Sequence, residues 1–299
     1  MIQTPSPRRD NPALSEAPMT LRDPLIEELA RLAVLEDVGT GDLTTRATTP
    51  HGCVRADLVV KQAGVVAGSA WIAAVCRQVD PDIAIDWHAV DGDFLQPGAI
   101  WCSWQGEAAS ILVAERPALN GAMMLGGIAT LTHQMVKAIA GTGAKLLDTR
   151  KTAPGMRALA KAAVRAGGGF NHRMGLFDGV LIKDNHIAAA GGIAEAVAHV
   201  RGRIPTTLKV EIECGEIEQV EQALEAGAEI IMLDNMDLET MREAVRLIGG
   251  RAKVEASGNV TLTTIRAIAE TGVDYISSGA LTHSAPALDL SLRINAPNP

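Results

Sequence analysis

From Lys145 onward the chain repeats one unit, a short apolar run followed by an amphipathic, helix-like stretch. KLLDT, GVLIK, LKVEIE, IIMLDN, KVEASG and DYISSG open about six such units at roughly 20- to 35-residue spacing. Strands separated by crossover helices lie parallel in one sheet, because a hairpin cannot join parallel neighbours. An open doubly wound sheet would accommodate the repeat. No GxGxxG follows the first of these strands, however, and the periodicity runs unbroken, so the pattern predicts an α/β barrel of the TIM type, incomplete relative to the usual eight strands.

In such a barrel the site lies at the C-terminal rim of the strands. The polar residues expected there are Arg150, Lys151, Lys183, Glu213, Asp234 with Asn235, Ser257 with Gly258, and Ser278 with Gly279. Residues 148–186 gather Arg150, Lys151, His172, Arg173 and Lys183 in a chain of formal net charge -8. Any one of these cations is a solvated surface charge by default. Their concentration, with glycines, Asn171 and Asn185 beside them, points instead to a pocket for a substrate bearing several carboxylates or phosphates.

The neighbouring acids Glu213 and Asp234 suit Mg²⁺, sugar hydroxyls or a developing positive charge; a rim salt bridge to a nearby lysine is the alternative. The small residues at 257–259 and 278–280 let backbone N–H groups approach a phosphate, although either segment would also serve as a simple turn. His172 reads equally as a donor to a carboxylate or as a packed loop residue, and His186 and His283 read as structural. Arg116, beside Glu115, lies on a helix outside the repeat, with a surface ion pair as its default role.

The first half has a different rhythm. Apolar residues recur at helical spacing over about 25 to 35 until Gly39 and Gly41 stop the pattern. RADLVVKQAGVVAG and AIDWHAVDGDFLQPGAIWCSW read as strands, and a long helix is expected over about 107 to 140, with Pro117 marking a kink or a start. A sequence pI near 5.4 without a basic block argues against nucleic acid or an anionic membrane as partner. Cys53, Cys76, Cys102 and Cys214 form no CxxC pair, which fits a reducing, cytoplasmic setting. The first nineteen residues lack an apolar core and read as a flexible tail rather than a signal or a span.

The strings ERPALN, DTRKTAPG, GGGFNHRMGLFDGVLIKDNHI, MLDN, EASGNVTLTTI and TGVDYISSGALTHSAPALDLSL, in this order, closely resemble the quinolinate phosphoribosyltransferase family over most of the chain. The resemblance implies a tail over 1–22, an α/β sandwich domain over 23–127 on which 285–299 would pack, and a barrel over 128–284. It implies transfer of a phosphoribosyl group from phosphoribosyl pyrophosphate to quinolinate, with Mg²⁺ and loss of carbon dioxide, in NAD synthesis. Arg116, Thr149, Arg150, Lys151, His172, Arg173 and Lys183 would then meet quinolinate. Lys151, Lys183, Glu213, Asp234, Ser257, Gly258, Asn259, Ser278, Gly279 and Ala280 would meet the phosphoribosyl donor. Lys151, Glu213 and Asp234 would carry the catalysis, with Glu213 and Asp234 holding the metal directly or through water or substrate. The chain would act at least as a homodimer, with Arg116 donated across the interface. Pro117, Phe170 and Phe177 depart from the family's usual residues but remove no charge. A molybdenum-transport-associated paralogue and a non-catalytic phosphosugar-binding barrel are the alternatives; the intact DTRKT, NHR and LIKDNH argue against the first, and the paired Glu213 and Asp234 against the second.

Overall fold

The computed structural model describes residues 24–49 and 51–295. The expected tail at 1–22, and residue 23, lie outside them. The strands are β1 (Cys53–Val60), β2 (Gly64–Val65), β3 (Ala84–Trp87), β4 (Phe94–Leu95), β5 (Ile100–Glu107), β6 (Lys145–Leu147), β7 (Val180–Ile182), β8 (Val210–Cys214), β9 (Ile230–Asp234), β10 (Lys253–Ser257), β11 (Tyr275–Ser277) and β12 (Leu290–Ile294). An antiparallel sheet of order β12-β1-β5-β3 forms the N-terminal unit, so the C-terminal strand returns to the first sheet and pairs with β1. A parallel sheet of order β6-β11-β10-β9-β8-β7 forms the second.

The helices used below are α1 (Pro24–Val38), α2 (Leu43–Thr48), α3 (Ser69–Val79), α4 (Ala108–Ala138), α5 (Arg157–Ala166) and α6 (Asp184–Ala190). Pro117 lies well inside α4, so it does not start that helix. Its carbonyl accepts the Trp71 indole N–H of α3 at 3.0 Å. Asp42 starts α2 by accepting the Thr45 N–H, as an N-cap residue does.

Strand periodicity explains the barrel interior. Along β8 the side chains of Val210, Ile212 and Cys214 point one way and are fully buried, while Glu211 and Glu213 point the other. The same alternation turns Glu255 and Ser257 of β10, Met232 and Asp234 of β9, and Tyr275 and Ser277 of β11 to one side, in register across the sheet. The barrel is open between its edge strands β6 and β7, where Phe170 adds a single bridge to Leu147.

One buried ion pair holds this opening together. The Lys161 ammonium of α5 donates to the Asp148 carboxylate just beyond β6, and both side chains are essentially inaccessible. Asp148 also accepts the His172 N–H at 2.9 Å and the Asn171 amide at 2.5 Å, while Lys161 donates to the His172 carbonyl at 3.0 Å. The two cationic segments, 149–151 and 172–173, are thereby fixed to each other.

Removing one partner of such a pair strands the other charge in the core. Lys161→Met should therefore lower unfolding free energy by about 3–5 kcal/mol, read from urea denaturation. An unchanged midpoint would show that the pair does not brace the fold.

Candidate active site

A cavity of about 500 Å³ opens at the C-terminal ends of the parallel strands. Of the predicted residues, Thr149, Arg150, Lys151, His172, Arg173, Lys183, Glu213, Asp234 and Ser257 line it. Arg116, Gly258, Asn259, Ser278, Gly279 and Ala280 do not. Arg116 is more than half exposed on α4 and approaches Glu115 at 3.9 Å.

The cationic wall is short of anions. Among the described residues the Arg150 Nε is buried without a hydrogen-bond partner, and the Arg173 guanidinium makes one bond, from Nη1 to the Gly179 carbonyl at 3.0 Å. Burial, followed by the charge of Arg150, pulls Arg173 below the usual guanidinium range. Two adjacent, partly desolvated guanidiniums are stabilised by an entering carboxylate, which a forked donor pair recognises bidentately. Thr149 shapes the turn behind them: its hydroxyl accepts the Lys151 N–H at 3.0 Å.

The opposite wall is acidic. Glu213 accepts from the Lys183 ammonium, so the rim salt bridge considered from sequence is formed here. Asp234 accepts from the Asn235 amide at 2.8 Å, and Asn259 donates to Asn235 at 3.3 Å. Asn235 and Asn259 both adopt left-handed backbone conformations, with φ of 55° and 52°. Gly258 sits between them at φ 97°, and a Cβ there would meet Asn235 Oδ1 at 2.1 Å. Strained backbone at two adjoining strand ends marks a constrained rim.

Ser278 is a correction to the expected phosphate cradle. Its N–H donates to the Leu147 carbonyl and its hydroxyl to the Val260 carbonyl, and the residue is buried, so neither donor faces the cavity; Ser277 lines it instead. Gly279 serves by having no side chain: a Cβ would lie 2.8 Å from Lys151 Cδ and 3.1 Å from His283 Nε2. The Thr282 hydroxyl holds the Lys151 carbonyl at 2.7 Å. His283, read as structural, thus lies close to Lys151, whereas His186 accepts the Lys183 N–H at 3.0 Å and shapes the start of α6.

Asn171, beside the cationic run, has a structural part. Its amide is spent on Asp148 and on the Lys161 carbonyl, at 2.9 Å, so it builds the loop instead of facing a ligand. What sequence reasoning missed was a second, deeper pair of acids. Glu255 lines the floor of the cavity and Glu211 lies beside it, both buried, each with one carboxyl oxygen that finds no partner among the described residues. The signal was available: each lies two residues before a rim residue on the same strand, Glu213 and Ser257, and so faces the same way.

His172 Nε2 lies 3.0 Å from Glu211 and 3.8 Å from Glu255, and donor atoms of all three lie within 4.8 Å of one another, close enough to suggest a metal site. The other ring nitrogen argues otherwise. Nδ1 accepts the Arg173 N–H at 2.8 Å, which requires a lone pair there and leaves the ring proton on Nε2, donated to Glu211. Burial disfavours the imidazolium while the hydrogen bond and charge of Glu211 and the charge of Glu255 favour it; together they shift His172 upward. The Arg173 N–H, having to find a lone pair, keeps the ring neutral. Both nitrogens are then occupied, leaving none to meet a substrate carboxylate.

Family sequence models described as "Quinolinate phosphoribosyl transferase, N-terminal domain" and "C-terminal domain" match residues 42–125 and 128–293. A protein of Nicotiana glauca named quinolinate phosphoribosyltransferase [decarboxylating] 2, mitochondrial, is 46% identical over 290 residues, covering 90% of this chain and 82% of its own length. A probable nicotinate-nucleotide pyrophosphorylase [carboxylating] of Bacillus subtilis is 42% identical, with 91% of this chain and 94% of the relative covered. The solved nicotinate-nucleotide pyrophosphorylase of Francisella tularensis superposes with a TM-score of 0.87 at 42% identity, over 91% of this chain and 96% of that one.

The buried acids give a pH test. Burial, then the charge of Glu211, pushes Glu255 up to about 8. An acid raised on folding contributes stability that is complete below its unfolded value and is lost as pH rises through the folded one. Glu255→Gln removes this dependence. In urea melts its stability should gain on the wild type by an amount on the order of a few kcal/mol between about pH 5 and 8, then level off. A difference independent of pH would mean that Glu255 is ionised throughout.

Proposed function

Because the chain belongs to the quinolinate phosphoribosyltransferase family, we infer that its rim cavity joins quinolinate to a phosphoribosyl group. The enzyme is a decarboxylating pentosyltransferase that forms nicotinate mononucleotide for NAD synthesis. The observation that carries the reading is the buried, partnerless Arg150 Nε beside Arg173, opposite Glu213 and Asp234 in one cavity. A dianionic ring acid fits the first wall, and a sugar that becomes cationic fits the second.

Arg150 and Arg173 take the quinolinate carboxylates. Lys183, released from Glu213, turns to the same anion and leaves Glu213 free for the ribose. Lys151, between the two walls, neutralises phosphate oxygens of the phosphoribosyl donor, whose phosphate end lies toward Ser257, Gly258, Asn259, Gly279 and Ala280. As pyrophosphate departs, positive charge grows on the ribose carbon, where Glu213 and Asp234 stabilise it. The ring nitrogen attacks that carbon. The ribosylated nitrogen is cationic, so the adjacent carboxylate leaves as carbon dioxide, its bonding electron pair stays on the ring carbon next to that charge, and a proton from water then bonds to that carbon. Most of the acceleration comes from bringing together two mutually repelling anions.

Glu213 and Asp234 are an oxygen-only donor pair that no third residue joins in a three-donor cluster among the described residues, which suits a hard cation keeping waters and substrate phosphate oxygens. Mg²⁺ held there would supply charge neutralisation for the departing pyrophosphate. Arg116 is exposed and does not line its own chain's cavity, which supports a homodimer in which it completes the partner's site. No helix among the described residues is long and apolar enough to cross a membrane. Four free cysteines support a cytoplasmic place of action.

Purified protein given quinolinate, phosphoribosyl pyrophosphate and Mg²⁺ should release carbon dioxide, pyrophosphate and nicotinate mononucleotide in equal amounts. Nicotinic acid would leave a buried cation unpaired at a cost of about 2–5 kcal/mol, so its kcat/KM should be roughly thirty-fold to a few thousand-fold lower. Comparable values would point to a non-decarboxylating activity.

A shared site predicts complementation. Arg116→Ala and Lys151→Ala chains, each inactive alone, should regain part of the activity when mixed. No recovery, with subunit exchange confirmed by mass, would place Arg116 outside the site.

A further inference from the structure

His172 lines the cavity, yet its two ring nitrogens are engaged with the protein, and its side chain is 13% exposed. What it touches is the backbone of Arg173, whose guanidinium is braced by the Gly179 carbonyl and stands beside Arg150. The imidazole therefore connects Glu211 on β8 to the N–H of an anion-binding arginine. Only with the proton on Nε2 does Nδ1 offer that N–H a lone pair, and Glu211 is the acceptor that selects this tautomer.

Glu255 completes the chain. It is 1% exposed, and among the described residues no lysine or arginine bonds either of its oxygens, so a carboxylate there would be a second buried negative charge beside Glu211. As the neutral acid, with a carboxyl oxygen within 4.8 Å of one on Glu211, it leaves one net charge at the floor of the pocket. Glu255 also lines the floor of the cavity, on the face of the sheet that carries Ser257 and Ser277.

Resting on the reading that quinolinate binds at Arg150 and Arg173, we propose that Glu211 is a positioning residue: through His172 it fixes Arg173 against a substrate carboxylate, while a neutral Glu255 holds Glu211 in place.

Three variants and one spectrum test this. Glu211→Leu should raise KM for quinolinate at least about ten-fold and leave KM for phosphoribosyl pyrophosphate within about three-fold. Glu211→Gln, whose amide oxygen still accepts the Nε2 proton, should stay within about three-fold for both substrates. In a His172→Ala background, Glu211→Leu should add no further loss, because its effect passes through the ring. Equal rises in both KM values, or additive losses, would overturn the proposal. If Glu211→Leu does not fold, ¹⁵N spectra of the wild-type His172 ring decide: an Nε2–H tautomer is expected, and an Nδ1–H tautomer overturns it. Calorimetric titration of the wild type with quinolinate separates the two readings. Absence of any binding there refutes the substrate assignment, whereas binding that survives Glu211→Leu undiminished refutes the positioning role alone.

Discussion

The site depends on a buried charge pair that touches no substrate. Asp148 and Lys161 are removed from water together, and such a pair is tolerated only when further hydrogen bonds satisfy what remains of both groups. Burial pulls the Asp148 carboxyl upward, and Lys161, the Asn171 amide and the His172 N–H oppose it. Asn171 and His172 come from the loop that crosses the open edge of the barrel. Desolvating one carboxylate in this way draws the NHR loop onto the end of β6 and sets Arg150 and Arg173 side by side. Two guanidiniums would not approach each other unaided.

The barrel interior extends the same logic. An inward row of acids runs under an outward-opening row of bases, and the two are matched locally: Lys183 to Glu213, His172 to Glu211, Lys161 to Asp148. Among the described residues, the cavity's Arg150, Lys151 and Arg173 have no carboxylate bonded to them, so the pocket's unfilled requirement is for an anion. A chain of net charge -8 meets an anionic substrate by concentrating a few cations where the strands end.

The fold class was legible because the six apolar runs carry their own periodicity, and each became a strand of the parallel sheet. So was most of the rim, since Lys183, Glu213, Asp234 and Ser257 sit at or just past strand ends. Three features were not. Lys161 sits on an amphipathic helix where lysine is ordinarily solvated, and nothing local marks it as buried. Glu211 and Glu255 interrupt apolar strands in a way that reads as alternation with solvent, whereas a barrel turns that face inward. Ser278 looked like a phosphate turn because Ser-Gly pairs share one local signature; its N–H is claimed instead by Leu147, a partner remote in sequence.

The central claim is that a pair outside the cavity creates the cavity's affinity. Calorimetric titration of folded Lys161→Met with quinolinate tests it most directly, because Lys161 does not line the pocket. The account predicts affinity at least about ten-fold weaker, as Arg173 loses its register with Arg150. Affinity equal to that of the wild type would contradict it.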